Sequence, residues 1–212
     1  MILNGPPRSG KSSIAAVIQE TFEGCWMNLG VDAWTECVTP PRLRPGVGLR
    51  PGGGERADIE ALIPALYAAL FESIAAHSRV GLNVVADLGL HDAYAEPKRV
   101  LSDAAQRLAG LPVLFVGVHC PLEIIMERRN AAADGRHYLT GPVDDPPPAV
   151  RLWSQAVHAP GDYDLELDAG ILTPQACAET IRLRLDAPVT APSAFQRLAE
   201  GAPPLEQSRN FF

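Results

Sequence analysis

The chain has 212 residues, 47% of them apolar and 20% charged, with a formal net charge of −7 at neutral pH. That length suits one well-packed domain rather than two, and the apolar content excludes disorder over most of it. The acidic balance argues against a nucleic-acid surface, which needs clustered Lys and Arg, while leaving room for small anions in a local pocket. No apolar run reaches the ~18 residues that span a bilayer, and no basic-then-apolar leader opens the chain, so no membrane partner and a cytoplasmic address are expected. Cys25, Cys37, Cys120 and Cys177 form no CxxC pair, which predicts buried free thiols rather than a zinc site or a disulfide framework. His91, His119, His137 and His158 are too scattered to suggest a metal cluster.

In chain order the pattern alternates between strand and helix. Residues 1–4 read as a short apolar strand, and residues 11–22 as a helix with Ile14, Val17, Ile18 and Phe22 on one face. Residues 26–31 read as a second strand, and the Pro/Gly-rich stretch 39–54 as an exposed loop. Asp58 opens a helix to about residue 77, which Pro64 should kink or divide. Residues 82–86 form a buried strand ending at Asp87, residues 94–109 a helix, and residues 112–119 the most continuous apolar strand. Pro121 introduces another helix. The small-residue, Pro-rich stretch 131–148 has the composition of a lid. Residues 151–157 read as a short helix, residues 163–167 as an edge strand with one wet face, and Thr173-Pro174 as the start of a helix to Leu185. Residues 187–212 are Pro/Ala-rich and predict a loosely held tail after a single domain over 1–186. Strands separated by helices imply parallel pairing with right-handed crossovers: an α/β three-layer sandwich around a parallel sheet of about five strands.

The segment Gly5-Pro6-Pro7-Arg8-Ser9-Gly10-Lys11-Ser12 matches G-x-x-x-x-G-K-[ST] in full and lies between a strand and an amphipathic helix. Each position has a chemical reason. The glycines let the backbone fold tightly, so that successive amides converge on an anion. Lys11 reaches the β- and γ-phosphate oxygens, and the Ser12 hydroxyl suits a magnesium ion. The helix N-terminus points its dipole at the same phosphates, and Ser13 completes that first turn. This pattern predicts a purine nucleoside triphosphate with magnesium.

Asp32 follows the second strand, where the pocket of a parallel sheet forms, and can take a proton from an acceptor hydroxyl. The competing reading of Asp32 is a helix N-cap. Asp87 either joins the magnesium shell through water, contacts the acceptor, or caps a loop. Arg128, Arg129 and Arg136 flank the lid, where guanidinium groups stabilise charge on a transferring phosphoryl group; Arg128 and Arg136 are the favoured pair. Trp34 and Tyr94 are candidates to line an acceptor pocket, with core packing as the alternative.

The landmarks ILNGPPRSGKSSI, GVDAWTE, NVVADLGLHDAY, VLFVGVHCPLEIIMERR and VHAPGDYDLELD together resemble the chloramphenicol phosphotransferase-like proteins, small P-loop kinases related in fold to shikimate and adenylate kinases. The resemblance runs from about Ile2 to Leu185. It implies ATP-dependent phosphorylation of a hydroxyl on a small molecule, in the named member chloramphenicol. By that likeness Asp32 is the base, Lys11 and Ser12 are the phosphate and magnesium contacts, and Arg128 and Arg136 are lid arginines. The chain departs from the family pattern at Ala132, where an arginine is expected, and at Ala86-Asp87, where the antibiotic kinase has paired acids. The other readings carried from the sequence are an ATP-binding regulator with little transferase activity, and a kinase acting on a metabolite or nucleotide-sugar.

Overall fold

A computed structural model describes residues 1–43, 56–132, 138–159, 161–188 and 191–202. Five strands, β1 (Ile2–Asn4), β2 (Trp26–Asn28), β3 (Asn83–Leu88), β4 (Phe115–His119) and β5 (Leu165–Asp168), form one sheet in the order β2-β3-β1-β4-β5. Every pairing is parallel. The predicted α/β sandwich is therefore the observed one. Parallel neighbours oblige the chain to return outside the sheet between strands, and the helices on those returns cover both faces.

Alternation along the strands decides which face each side chain joins. Ile2, Val84, Ala86, Leu88 and Phe115 point into a cluster with Phe71 and Ile74 of α4 (Ile63–Arg79). Leu3, Val85, Val116 and Val118 point the other way, onto Ile14 and Ile18 of α1 (Lys11–Thr21) and Ile181 of α8 (Pro174–Asp186). With both faces covered, the central strands are mostly apolar, as a buried parallel sheet requires, with the polar Asn4 and Asp87 near their carboxyl ends.

Several expectations change in detail. β2 stops at Asn28 rather than residue 31, because α2 (Val31–Cys37) begins at once, with Gly30 at its N-cap. Pro64 does divide the helix expected over 58–77, into α3 (Ala57–Glu60) and α4, where it occupies the first turn and needs no amide partner. The helix expected from residue 94 forms only as α5 (Val100–Arg107), since Tyr94 is drawn into the core instead. α6 (Leu122–Asn130) and α7 (Pro148–Ala156) fall close to their predicted places, and β5 is the wet edge strand expected. Cys177 is buried, but Cys25 and Cys37 are exposed and Cys120 is half-buried, so the expectation of buried thiols fails for those three.

The tail departs most. Residues 194–200 form α9 (Ala194–Glu200), opened by a capping box in which Ser193 and Gln196 satisfy each other's backbone amides. Phe195 is 3% exposed and meets Phe115 edge-on at 5.0 Å between ring centroids. One aromatic anchor and a capped start hold this segment on the sheet, against the expectation of a loose tail; residues 203–212 lie outside the described residues. Among the described residues no helix is long and apolar enough to cross a membrane.

Candidate active site

The sheet topology brings three chain segments together. β1 is central, and its carboxyl end leads into residues 5–10; β3, its neighbour, ends with Asp87 and Leu88; β2, one strand further out, leads to Asp32 on α2. All three strands run parallel, so these ends share one rim of the sheet, where pockets of such sheets form. A cleft of about 1030 Å³ opens there, with Lys11, Ser12, Ser13, Asp32, Asp87 and Arg128 in its wall.

Residues 5–10 form a tight turn. The Ser9 amide donates to the Pro6 carbonyl at 3.1 Å, and Gly10, at φ 110°, takes a left-handed conformation that side chains resist. Arg8 is held at φ 73° as well, which for a non-glycine residue is strained backbone of the kind a surrounding structure must enforce. Helix α1 starts immediately after, with no acidic side chain in its first turn to compete for its N-terminal dipole.

Lys11 is 8% exposed, and its ammonium donates to the Pro6 carbonyl at 2.8 Å. Burial pulls its pKa down to about 8, while the negative charges of Asp87 and Asp32 pull the other way. The Ser12 hydroxyl donates to Asp87 Oδ2 at 2.6 Å. Burial raises the Asp87 carboxyl above its ordinary value, and the Ser12 bond and the Lys11 charge restrain that rise. Hydroxyl, carboxylate and ammonium thus converge on one spot. Hard oxygen donors flanked by a cation are the set that a magnesium-bound phosphate chain requires.

Asp32 sits in the first turn of α2, exposed to the cleft, and its charge is felt by Lys11, Asp87 and Tyr67. It is not the N-cap that the sequence allowed; Gly30 holds that position, its own amide donating to Asn28 Oδ1 at 2.9 Å. Gly30 has a second task. A Cβ at this position would lie 1.6 Å from Asp87 Oδ1, so only glycine lets β2 turn into α2 over the carboxylate. Gly30→Ala is expected to push Asp87 off Ser12, to destabilise the fold by about 1–3 kcal/mol, and to blunt any magnesium dependence of nucleotide binding. Urea unfolding and calorimetric titration with and without magnesium check this; unchanged values in both would refute the contact.

Beyond Asp32 the cleft wall turns apolar and aromatic, with Trp34, Leu66, Tyr67, Tyr94 and Trp153. Trp34 lines the cleft and also packs against the core. Tyr67 and Trp153 were missed from sequence: Tyr67 continues the apolar face of α4, and nothing local marks Trp153 as a cleft residue. At the opposite wall Arg8 and Arg129 both approach the ring of Tyr138, at 4.4 and 5.3 Å. Arg128 is turned toward the backbone of residues 8–9 and of Ala169. Arg136 and the centre of the proposed lid, residues 133–137, lie outside the described residues, as do residues 44–55 of the Pro/Gly-rich loop.

A parallel 2-3-1-4-5 sheet whose central strand leads into Gly-rich backbone, a buried lysine and a serine, with the serine's aspartate partner supplied by the neighbouring β3, defines the class: a P-loop phosphotransferase of the kinase type. The family model of chloramphenicol phosphotransferase-like proteins matches residues 1–186, and the chain belongs to that family. Two Mycobacterium tuberculosis proteins, from strains CDC 1551 and H37Rv and both named "Putative O-phosphotransferase", are 29% identical over 210 residues, covering 93% of this chain and 86% of theirs. Among solved structures, a tunicamycin resistance protein of Deinococcus radiodurans superposes with a TM-score of 0.57 at 21% identity, over 90% of this chain and 98% of its own. A sugar kinase from Janibacter (TM-score 0.56, 18% identity, 87% and 92% covered) and the shikimate kinase of Aquifex aeolicus (0.52, 16%, 87% and 94%) share the fold.

Proposed function

We propose that this enzyme is a magnesium- and ATP-dependent kinase that moves the γ-phosphoryl group to a hydroxyl of a small molecule, with chloramphenicol as one acceptor to test. The observation that carries the reading is the Ser12–Asp87 hydrogen bond beside the buried Lys11 ammonium, with the Asp32 carboxylate in the wall of the same cleft. Magnesium–ATP, when bound, supplies the phosphoryl group and neutralises part of its charge.

The residues then divide the work. The backbone of residues 5–12, with Ser13 at its end, holds the phosphate tail, and Lys11 offsets its charge. Ser12 and Asp87 hold the metal, Asp87 through its carboxylate or a water. Asp32 accepts the hydroxyl proton of the acceptor. Trp34 and its aromatic neighbours bind the acceptor's apolar part, and Arg136 answers charge on the moving group from the lid. Binding and orientation supply most of the rate, because phosphoryl transfer asks little covalent chemistry of the protein.

The test is ADP release by purified protein with magnesium and ATP against a panel of hydroxylated antibiotics and metabolites, chloramphenicol included. One acceptor that stimulates release and returns as its phosphate ester supports the reading. Tight ATP binding with no stimulation by any acceptor supports instead an ATP-binding regulator with little transferase activity. The homologues' names and the family match agree with an O-phosphotransferase, and the net charge of −7 agrees with small acceptors rather than nucleic acid.

A further inference from the structure

The guanidinium of Arg128, on the last turn of α6, makes most of its hydrogen bonds to backbone. Nη1 donates to the Arg8 carbonyl at 3.2 Å, to the Ser9 carbonyl at 3.0 Å and to Cys120 Sγ at 3.4 Å. Nη2 donates to the Ala169 carbonyl, just past β5, at 2.9 Å. The same Nη1 is only 3.6 Å from where a Cβ on Gly10 would lie. One rigid fork therefore joins the second half of the phosphate loop to the turn between β5 and α8.

The direction of those bonds matters. In a backbone nest the amides converge on the anion and the carbonyls of the same peptides face outward. Outward carbonyls near a buried loop need partners, and a loop held at φ 73° at Arg8 and φ 110° at Gly10 relaxes unless something fixes it. Arg128, from the cleft wall, supplies both requirements through the loop carbonyls. We propose that Arg128 is a positioning residue that presets the phosphate cradle by bolting the Arg8 and Ser9 carbonyls to Ala169, and so acts on nucleotide through the loop backbone rather than by touching the transferred phosphoryl group. A planar fork suits this task, since one ammonium nitrogen cannot occupy both of its nitrogen positions.

The inference rests on reading residues 5–12 as the cradle, and the experiment separates the two. Amide hydrogen exchange of the nucleotide-free protein is compared for parent, Arg128→Met and Arg128→Lys, followed by calorimetric titration with magnesium–ADP and with tripolyphosphate. Exchange at the amides of residues 8–11 is expected to quicken about tenfold or more in Arg128→Met, while the strand amides of β1 and β4 stay protected. Affinity for ADP and for tripolyphosphate falls together, by about tenfold or more, because charged hydrogen bonds of this kind are individually strong. Arg128→Lys shows the same changes, reduced in size. Loop exchange and ADP affinity within twofold of the parent, with turnover alone reduced, overturns the proposal in favour of direct phosphoryl contact. Full restoration by lysine also overturns it, since charge alone would then suffice. If the parent binds neither ligand, the cradle reading fails, and the exchange comparison still decides whether Arg128 bolts the loop.

Discussion

Lys11→Met is expected to abolish phosphoryl transfer while leaving the nucleotide-free protein more stable than the parent. Both halves follow from burial. The ammonium is 8% exposed and its pKa is drawn down from 10.5 to about 8, so folding works against its charge. A lowering of that size corresponds to about 3 kcal/mol held against the folded state at neutral pH. Because the folded pKa is the lower one, this penalty is fully present below about pH 8 and fades as pH rises to 10.5. Methionine keeps the length and apolar stem and removes the charge; after allowing for the lost bond to the Pro6 carbonyl, a gain of about 1–3 kcal/mol in urea unfolding at pH 7 is expected. Loss of the cation leaves the phosphate chain uncompensated, and turnover falls by about 10³-fold or more. The same logic predicts that the parent's affinity for magnesium–ATP weakens as pH is raised through about 8, since the free enzyme then offers a neutral amine. Turnover within about twofold of the parent would remove Lys11 from the chemistry.

Asp32→Asn is expected to separate binding from chemistry. The side chain lies in the first turn of α2, exposed to the cleft, and is not part of the Ser12–Asp87 couple. Asparagine matches it in shape and remains compatible with a helix start, so the fold is kept. What disappears is a carboxylate able to take a proton. Transfer to a confirmed acceptor should fall about 10²-fold or more, with the dissociation constant of magnesium–ATP little changed. Removing a negative charge near Lys11 also lets the Lys11 pKa sink further, because Asp32 is one of the two carboxylates that hold it up. Undiminished transfer with a true acceptor would assign the base elsewhere in the cleft wall.

The contrast between the two variants is diagnostic. In the proposed reading Lys11 belongs to the cradle, so its loss should touch nucleotide and transfer together, and Asp32 belongs to the acceptor side, so its loss should spare the nucleotide. Arg128, acting through the loop carbonyls, should resemble neither: its effect begins with the exchange of loop amides before any ligand arrives.

The sequence alone was enough to identify the fold class and to single out the candidate cradle. Local chemistry explains this: G-x-x-x-x-G-K-S is a contiguous stretch whose function needs only its own backbone and the helix it opens. Strand–helix alternation likewise restricts topology to parallel pairing with few options. Tertiary structure decided everything that depends on residues far apart. Asp87 met Ser12 only because β3 pairs beside β1, with Leu3 opposite Asp87. Gly30 falls within the strand read over residues 26–31, and only packing shows that its absent side chain is the space Asp87 occupies. Arg128 read as a lid arginine because its neighbours in the chain flank a lid, yet α6 packing aims it at the loop backbone. Residues 194–200 looked like tail because their Pro/Ala-rich surroundings carry little periodicity, yet Phe195 packed on Phe115, the Ala194 amide bonded to Asp164 and the Arg197–Asp162 ion pair anchor them. Periodicity and motifs report what a segment does with itself; a partner tens of residues away leaves no local mark, and only packing supplies it.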